Sequence, residues 1–298
     1  MLRLLVIGLL LIGLSGSAQE RIVEVKGKKF NVKAMGLGNR RPGQPVVVFE
    51  NGMGVDLKNW RTVFDQVGSF APVVAYDRAG IGKSDNLYQL PTPKLVAENL
   101  HGILGVLNIP PPYVLVGHSL GGLYVRGFAG YYPGDVAGLV FVDPADFTET
   151  RDDWNAIFKK LGLTDKRIDE MLQDRLYRSV PITDSLNYGP RSERYALNEL
   201  RKSDFAEIAA LPLPKVPIYF FVGGKFDVPL AQRSKEYDQQ AFFHIKNSSN
   251  MDRWRQLIHA TGRPGAVIYL SHSGHYIQWD DPVSLIENIR ILLDGVNK

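Results

Sequence analysis

Residues 113–123 read Tyr113-Val114-Leu115-Val116-Gly117-His118-Ser119-Leu120-Gly121-Gly122-Leu123. A short apolar run rich in β-branched residues ends at a glycine, which is the pattern of a buried strand. The segment from Leu123 to Tyr131 is compatible with a helix. Between them lies Gly-x-Ser-x-Gly, a motif with chemical meaning when it sits on a strand–turn–helix. Such a turn is sharp. Side chains at its flanking positions would clash, so Gly117 and Gly121 stand there. The turn would lift the Ser119 hydroxyl above the sheet and set the Leu120 N–H at a helix N-terminus, where the dipole favours an oxyanion.

Outward from this turn, strand-like runs recur at Val46–Phe49, Val73–Tyr76, Leu139–Val142, Ile218–Val222 and Val267–Leu270. Residues 20–35 alternate around Lys26-Gly27-Lys28 and predict an N-terminal hairpin. Helical patterns separate the strands. Thr92-Pro93 opens one, with Leu95, Val96, Asn99, Leu100, Ile103, Leu104 and Leu107 on one face, and Asp281-Pro282 opens the last. This alternation predicts an α/β fold, a mostly parallel sheet covered by helices on both faces. It breaks once. Residues of about 147–211 carry no strand signal but show helices around Trp154–Leu161, after Thr164, and from about Arg191 to Ala210. They predict a helical lid inserted after strand six, on the ligand side of the sheet.

Composition narrows the function classes. The charge of +4 over 298 residues is modest, and no basic run points to nucleic acid. With no cysteine, disulfides, Cys-ligated zinc and a Cys nucleophile are excluded. At the N-terminus, Arg3 precedes the apolar stretch Leu4–Leu14, and Gly16 and Ala18 fit a small-x-small cleavage site. Residues 1–18 thus read as a signal peptide and residues 19–298 as one domain, exported to the periplasm or the medium; an uncleaved anchor is the alternative. The apolar stretch falls short of the ~20 residues that span a bilayer, so stable membrane insertion after cleavage is not expected.

A serine hydroxyl needs a base to act as a nucleophile. His275, in Ser273-Gly274-His275, follows the last strand and precedes the last helix, where a Ser–acid–His chain order puts it; His272 is the alternative. His118 adjoins Ser119, but side chains diverge on a tight turn, so it is expected to be packed. Two aspartates end a strand in the right order. Asp143 closes Leu139–Val142, and Asp227 lies just past Tyr219–Val222. Either could hold the imidazole tautomer. A second oxyanion donor should come from Glu50-Asn51-Gly52-Met53-Gly54, and the Met53 N–H is the candidate.

Together these segments resemble the α/β-hydrolase superfamily over nearly all of residues 20–296. Tyr76-Asp77-Arg78-Ala79-Gly80-Ile81-Gly82-Lys83-Ser84-Asp85 is similar to the family's D-x-x-G-x-G-x-S segment, residues 117–122 to its elbow, and Ser273-Gly274-His275 to its histidine loop. Two departures stand out. Many members carry His-Gly where this chain has Asn51-Gly52, so the hydrogen bonds supporting that loop must differ. The family's acid usually follows strand seven, which favours Asp227. A subgroup with Tyr-Asp-Arg-Ala-Gly, Val-Asp-Pro after strand six and a Trp-containing helix before the histidine strand often lacks that acid; its similarity to Val142-Asp143-Pro144 and Trp254 favours Asp143.

The resemblance implies a serine hydrolase acting on an ester, or an amide or lactone, of a small substrate through an acyl-enzyme, with no metal or organic cofactor. Dehalogenase and epoxide chemistry on this fold uses an Asp nucleophile, against which Ser119 argues. A lyase, a carbon–carbon hydrolase, a perhydrolase or a non-catalytic binding module on the same scaffold are the alternatives.

Overall fold

The computed structural model describes residues 18–183 and 185–296. Apart from Ala18, the signal peptide expected at residues 1–18 lies outside the described residues. Among these residues the strands are β1 (Gln19–Val25), β2 (Lys28–Met35), β3 (Val46–Glu50), β4 (Val73–Tyr76), β5 (Tyr113–His118), β6 (Val136–Val142), β7 (Ile218–Gly223) and β8 (Gly265–Leu270). They form one sheet in the order β1-β2-β4-β3-β5-β6-β7-β8. β1 and β2 pair as the expected hairpin, turning at Lys26 and Gly27, whose φ angles of 51° and 74° are those of a tight primed turn. β2 runs antiparallel to β4, and the remaining pairs are parallel.

Helices α1 (Phe64–Gly68), α2 (Pro93–Val106), α3 (Leu120–Tyr131), α8 (Gln239–Thr261), α9 (Ile277–Asp280) and α10 (Pro282–Val296) cover the sheet. Strand residues alternate between two cores. Val48 and Leu115 pack with Leu100 of α2, Leu123 of α3 and Trp254 of α8. Val47 and Val116 pack with Val67 of α1 and with Leu285 and Ile289 of α10. Thr92 caps α2 as its sequence suggests, accepting from the Leu95 N–H at 3.2 Å.

Between β6 and β7 lie α4 (Arg151–Lys160), α5 (Asp165–Leu172), α6 (Tyr188–Lys202) and α7 (Ala206–Ala210). A capping box of Thr150 and Asp153 starts α4, and Thr164 caps α5. Phe158, Ile168, Met171, Leu172 and Tyr177 give this insertion a small core of its own. The single helix expected from about Arg191 to Ala210 is two. It starts earlier, at Tyr188, and stops at Lys202. Asp204 and Phe205 then take left-handed conformations (φ 49° and 55°), which break the hydrogen-bond ladder and drop Phe205 into the main core. Burial of one aromatic overrides helical periodicity at that point.

The topology creates the site. From β3 the chain moves to β4 on one side, and from β5 to β6 on the other, so the order reverses between β3 and β5. At such a point the loops leave a crevice at the carboxyl ends of the strands. The strand ends there are level. Glu50 pairs with Gly117, and His118 with Val142.

Candidate active site

Ser119 sits between β5 and α3 with φ 52° and ψ −120°, a strained conformation for a residue with a side chain. Its own N–H donates to Val142 O at 3.0 Å, and its carbonyl accepts from Gly122 N and Ala145 N, both at 2.9 Å. The turn is held by its backbone, leaving the hydroxyl out of that scaffold. The flanking glycines are a matter of space. A Cβ on Gly117 would stand 2.5 Å from Gly121 O, and one on Gly121 would stand 2.4 Å from Glu50 O.

His275 is reached by the loop that follows β8. The Gly274 N–H donates to Asp280 at 2.7 Å, and the Ser273 carbonyl accepts from Lys225 N at 3.0 Å. The His275 Nδ1 lies 2.6 Å from Asp143 Oδ2, and Asp143 Oδ1 accepts from the Gly223 N–H at 3.0 Å. Asp143 also has a positive φ, 42°. The other sequence candidate for the acid, Asp227, pairs instead with Lys225 at 2.9 Å and has a 73% exposed side chain. The structure therefore brings Asp143, and not Asp227, to His275. His272 is exposed and does not line the cavity described below.

His118 is buried, as expected, but it is not idle packing. Its Nε2 lies 2.9 Å from His275 O, and its Nδ1 lies 3.4 Å from Asn59 Nδ2. A carbonyl oxygen only accepts, so Nε2 carries the proton and Nδ1 accepts. Burial, and then the neighbouring His275, push the His118 pKa down to about 3, which keeps the ring neutral. His118 thus fastens the histidine loop to the segment that follows β3. Gly52 is part of the same fit, since a Cβ there would lie 2.8 Å from His118 Nδ1.

The loop after β3 is held by a buried ion cluster, which answers the departure noted at Asn51-Gly52. Arg78, arriving from β4, pairs with Glu50 at 2.6 Å and with Glu193 of α6 at 2.7 Å. The same guanidinium donates to Asn51 O and Gly52 O, each at 2.6 Å. Glu193 also accepts from the Gly54 N–H at 2.7 Å, and Tyr76 donates its hydroxyl to Glu50. Burial opposes the Arg78 charge, but Glu193 and Glu50 outweigh it and raise Arg78 well above the ordinary guanidinium range. In a trans peptide the C=O and the following N–H point to opposite sides. With Gly52 O fixed on Arg78, the Met53 N–H is turned away from it. The Leu120 N–H opens α3, where the first N–H groups have no partner within the helix.

Met53, Ser119, Leu120, Asp143 and His275 line one cavity of about 580 Å³, within the size range of small-molecule sites. Its walls include Arg194, Leu197 and Arg201 from α6, and Phe243, Lys246, Asn250 and Trp254 from α8. The sequence reading assigned no role at the site to Arg78, Glu50 or Glu193, nor to these helix residues, of which only Trp254 was singled out, through the resemblance. Arg194, Leu197 and Arg201 stand three and four apart, which marks one helix face, but the spacing does not say what that face covers. Among the described residues no group of three or more His, Asp or Glu is placed to hold a metal ion.

The family model described as Alpha/beta hydrolase family matches residues 47–287. A 3-oxoadipate enol-lactonase of Acinetobacter baylyi is 30% identical over 135 residues, 45% of this chain and 48% of that protein. The chain spans less than half the length of the curated relatives it matches. Among solved structures, Cfl2 from Burkholderia cenocepacia superposes with a TM-score of 0.61 at 19% identity, covering 94% of this chain and 97% of the other. The carboxylesterase CesB from Bacillus subtilis superposes with a TM-score of 0.55 at 17% identity, covering 95% and 93%.

Proposed function

The chain belongs to the alpha/beta hydrolase family, and from that premise we propose that it hydrolyses an ester, or an amide or lactone, of a small molecule through an acyl-enzyme on Ser119. The observation that carries this reading is the 2.6 Å contact of His275 Nδ1 with Asp143 Oδ2 beside a serine on a strained elbow in the same cavity. Asp143 holds the Nδ1–H tautomer and stabilises the imidazolium. That leaves Nε2 as the base. The Ser119 oxygen adds to the carbonyl carbon while its proton passes to Nε2, and the Met53 and Leu120 N–H groups receive the oxyanion. The tetrahedral intermediate collapses, the leaving alcohol takes the proton from Nε2, and water repeats the sequence to free the acid. No step draws on a metal or an organic cofactor.

We read α4 to α7 as the lid of this site, supported by the three α6 side chains on the cavity wall. Export directed by residues 1–18 completes the proposal. Among the described residues no helix is long and apolar enough to cross a membrane. N-terminal sequencing of the exported protein checks the cleavage point.

The test of function is hydrolysis of a panel of p-nitrophenyl acyl esters by the mature protein and by Ser119→Ala, with fluorophosphonate labelling alongside. Wild-type turnover with a loss of about 10⁶-fold in the variant is expected, as for a complete triad. No turnover of any ester and no label on Ser119 would sink the proposal and leave a binding module.

A further inference from the structure

Among the described residues, two cations on the cavity wall, Arg194 and Arg201, form no ion pair. Arg194 and Arg201 lie seven residues apart on α6, two turns along one face, with Leu197 between them. The other charged groups lining the cavity are already matched. Asp143 is bonded to His275, and Lys246 is bonded to Glu149 and lies over the Trp154 ring. His118 is neutral. On α8, Asn247 donates to Gly223 O and Asn250 accepts from Arg253. Arg201, by contrast, has a solvent-excluded Nε with no partner, and only a 3.5 Å contact from its NH1 to Asn198. Burial lowers its pKa. Glu149 opposes that effect, and the charge of Arg194 adds to it. Arg194 is exposed and, among the described residues, has no ion pair.

A partly buried guanidinium with a solvent-excluded, unpartnered Nε and no ion pair is costly to fold around, and a second one on the same face adds repulsion. An arginine fork suits an oxyanion and supplies several donors in one plane. Both groups face the space that holds Ser119. We propose that Arg194 and Arg201 form an anion subsite, and that the substrate carries a carboxylate or a similar oxyanion outside the scissile carbonyl. The substrate statement rests on the acyl-transfer reading above; the anion subsite does not.

The test separates the two. In Ser119→Ala, calorimetry compares monomethyl esters of four- to eight-carbon dicarboxylic acids with methyl esters of the matching monocarboxylic acids. The anionic ligand of best length is expected to bind about 10–100-fold more tightly, the worth of one or two charge-assisted hydrogen bonds. Arg194→Gln and Arg201→Gln, each placed in the Ser119→Ala background, should each cut that preference by about 10-fold, and the preference should weaken with salt. In the otherwise wild-type protein, 4-methylumbelliferyl monoesters of the same acids should show the preference chiefly in KM, and the arginine variants should lose it. Arg194 is exposed, so its variant remains informative even if Arg201→Gln does not fold. Equal binding of charged and neutral ligands at every length, or an unchanged preference in Arg194→Gln, overturns the subsite. Retained anion binding with no ester cleaved by wild type leaves the subsite standing and removes the hydrolase reading.

Discussion

The Nδ1 of His275 and the Oδ2 of Asp143 meet at 2.6 Å although 132 residues separate them. The contact exists because β6 and β8 both flank β7. Asp143 leaves the end of β6, its other oxygen held by the Gly223 N–H at the end of β7. The His275 loop leaves β8 against the same strand, so closely that a Cβ on Gly223 would lie 2.4 Å from Gly274 O.

This contact sets the first expectation. Asp143→Asn should lower kcat by about 10³–10⁴-fold, because an amide can stabilise the wrong imidazole tautomer. Asp227→Asn should stay within about twofold, since its side chain faces solvent and pairs with Lys225. Ester hydrolysis by the two variants decides the matter, and the reverse ranking would move the acid to Asp227.

The clamp on the loop after β3 gives a second. Arg78→Met leaves Glu50 and Glu193 buried without their cation and should cost about 3–5 kcal/mol in urea unfolding. Glu193→Gln keeps the shape but weakens the hold on Gly54 N and Arg78. With one oxyanion donor worth about 10²–10³ in rate, partial misplacement of the Met53 N–H should lower kcat about 10-fold with little change in KM. Wild-type kcat in Glu193→Gln would disconnect the clamp from catalysis.

Packing at the elbow predicts a contrast between two glycine-to-alanine changes. Gly121→Ala forces a Cβ to within 2.4 Å of Glu50 O, which is backbone and cannot swing aside. A loss of about 2–4 kcal/mol and of most activity is expected. Gly105 in α2 has nothing within 4 Å of a new Cβ. Gly105→Ala should therefore raise stability by about 0.5–1 kcal/mol. Thermal unfolding of both variants gives the comparison.

The fourth concerns acid. His118 titrates at about 3 in the folded chain and near 6.5 when unfolded. Between these values the unfolded state holds the extra proton, so stability rises with pH across that window and is lost as pH falls from about 6.5 toward 3. One proton corresponds to a slope of about 1.4 kcal/mol per pH unit. Urea titrations from pH 7 to 4 should show wild type steeper than His118→Gln by up to that amount. Parallel slopes would mean that His118 is not buried in its neutral form.

Much of this molecule could be read along the chain because the signals are local. Strand runs, the Thr92-Pro93 start of α2 and the glycines around Ser119 report steric and hydrogen-bonding demands that a few adjacent residues satisfy. Ser119 and His275 stand out as candidates for the same reason, as each is marked by its own turn. The choice between the two acid candidates was not legible, because Asp143 and Asp227 both end strands in acceptable order. What separates them is distance to a loop far along the chain. Arg78 was quoted within a motif, yet its partners Glu50 and Glu193 lie 28 and 115 residues away. The guanidiniums of Arg194 and Arg201, which form no ion pair among the described residues, look in sequence like ordinary charges on an amphipathic helix. Sequence by itself determined the sheet, the elbow and which side chains are candidates for the chemistry, since backbone sterics and hydrophobic periodicity act over neighbouring residues. Only the tertiary structure decided which charges are paired, which are buried and which face Ser119, because electrostatic partners are chosen by proximity in space, and the sheet order sets that proximity.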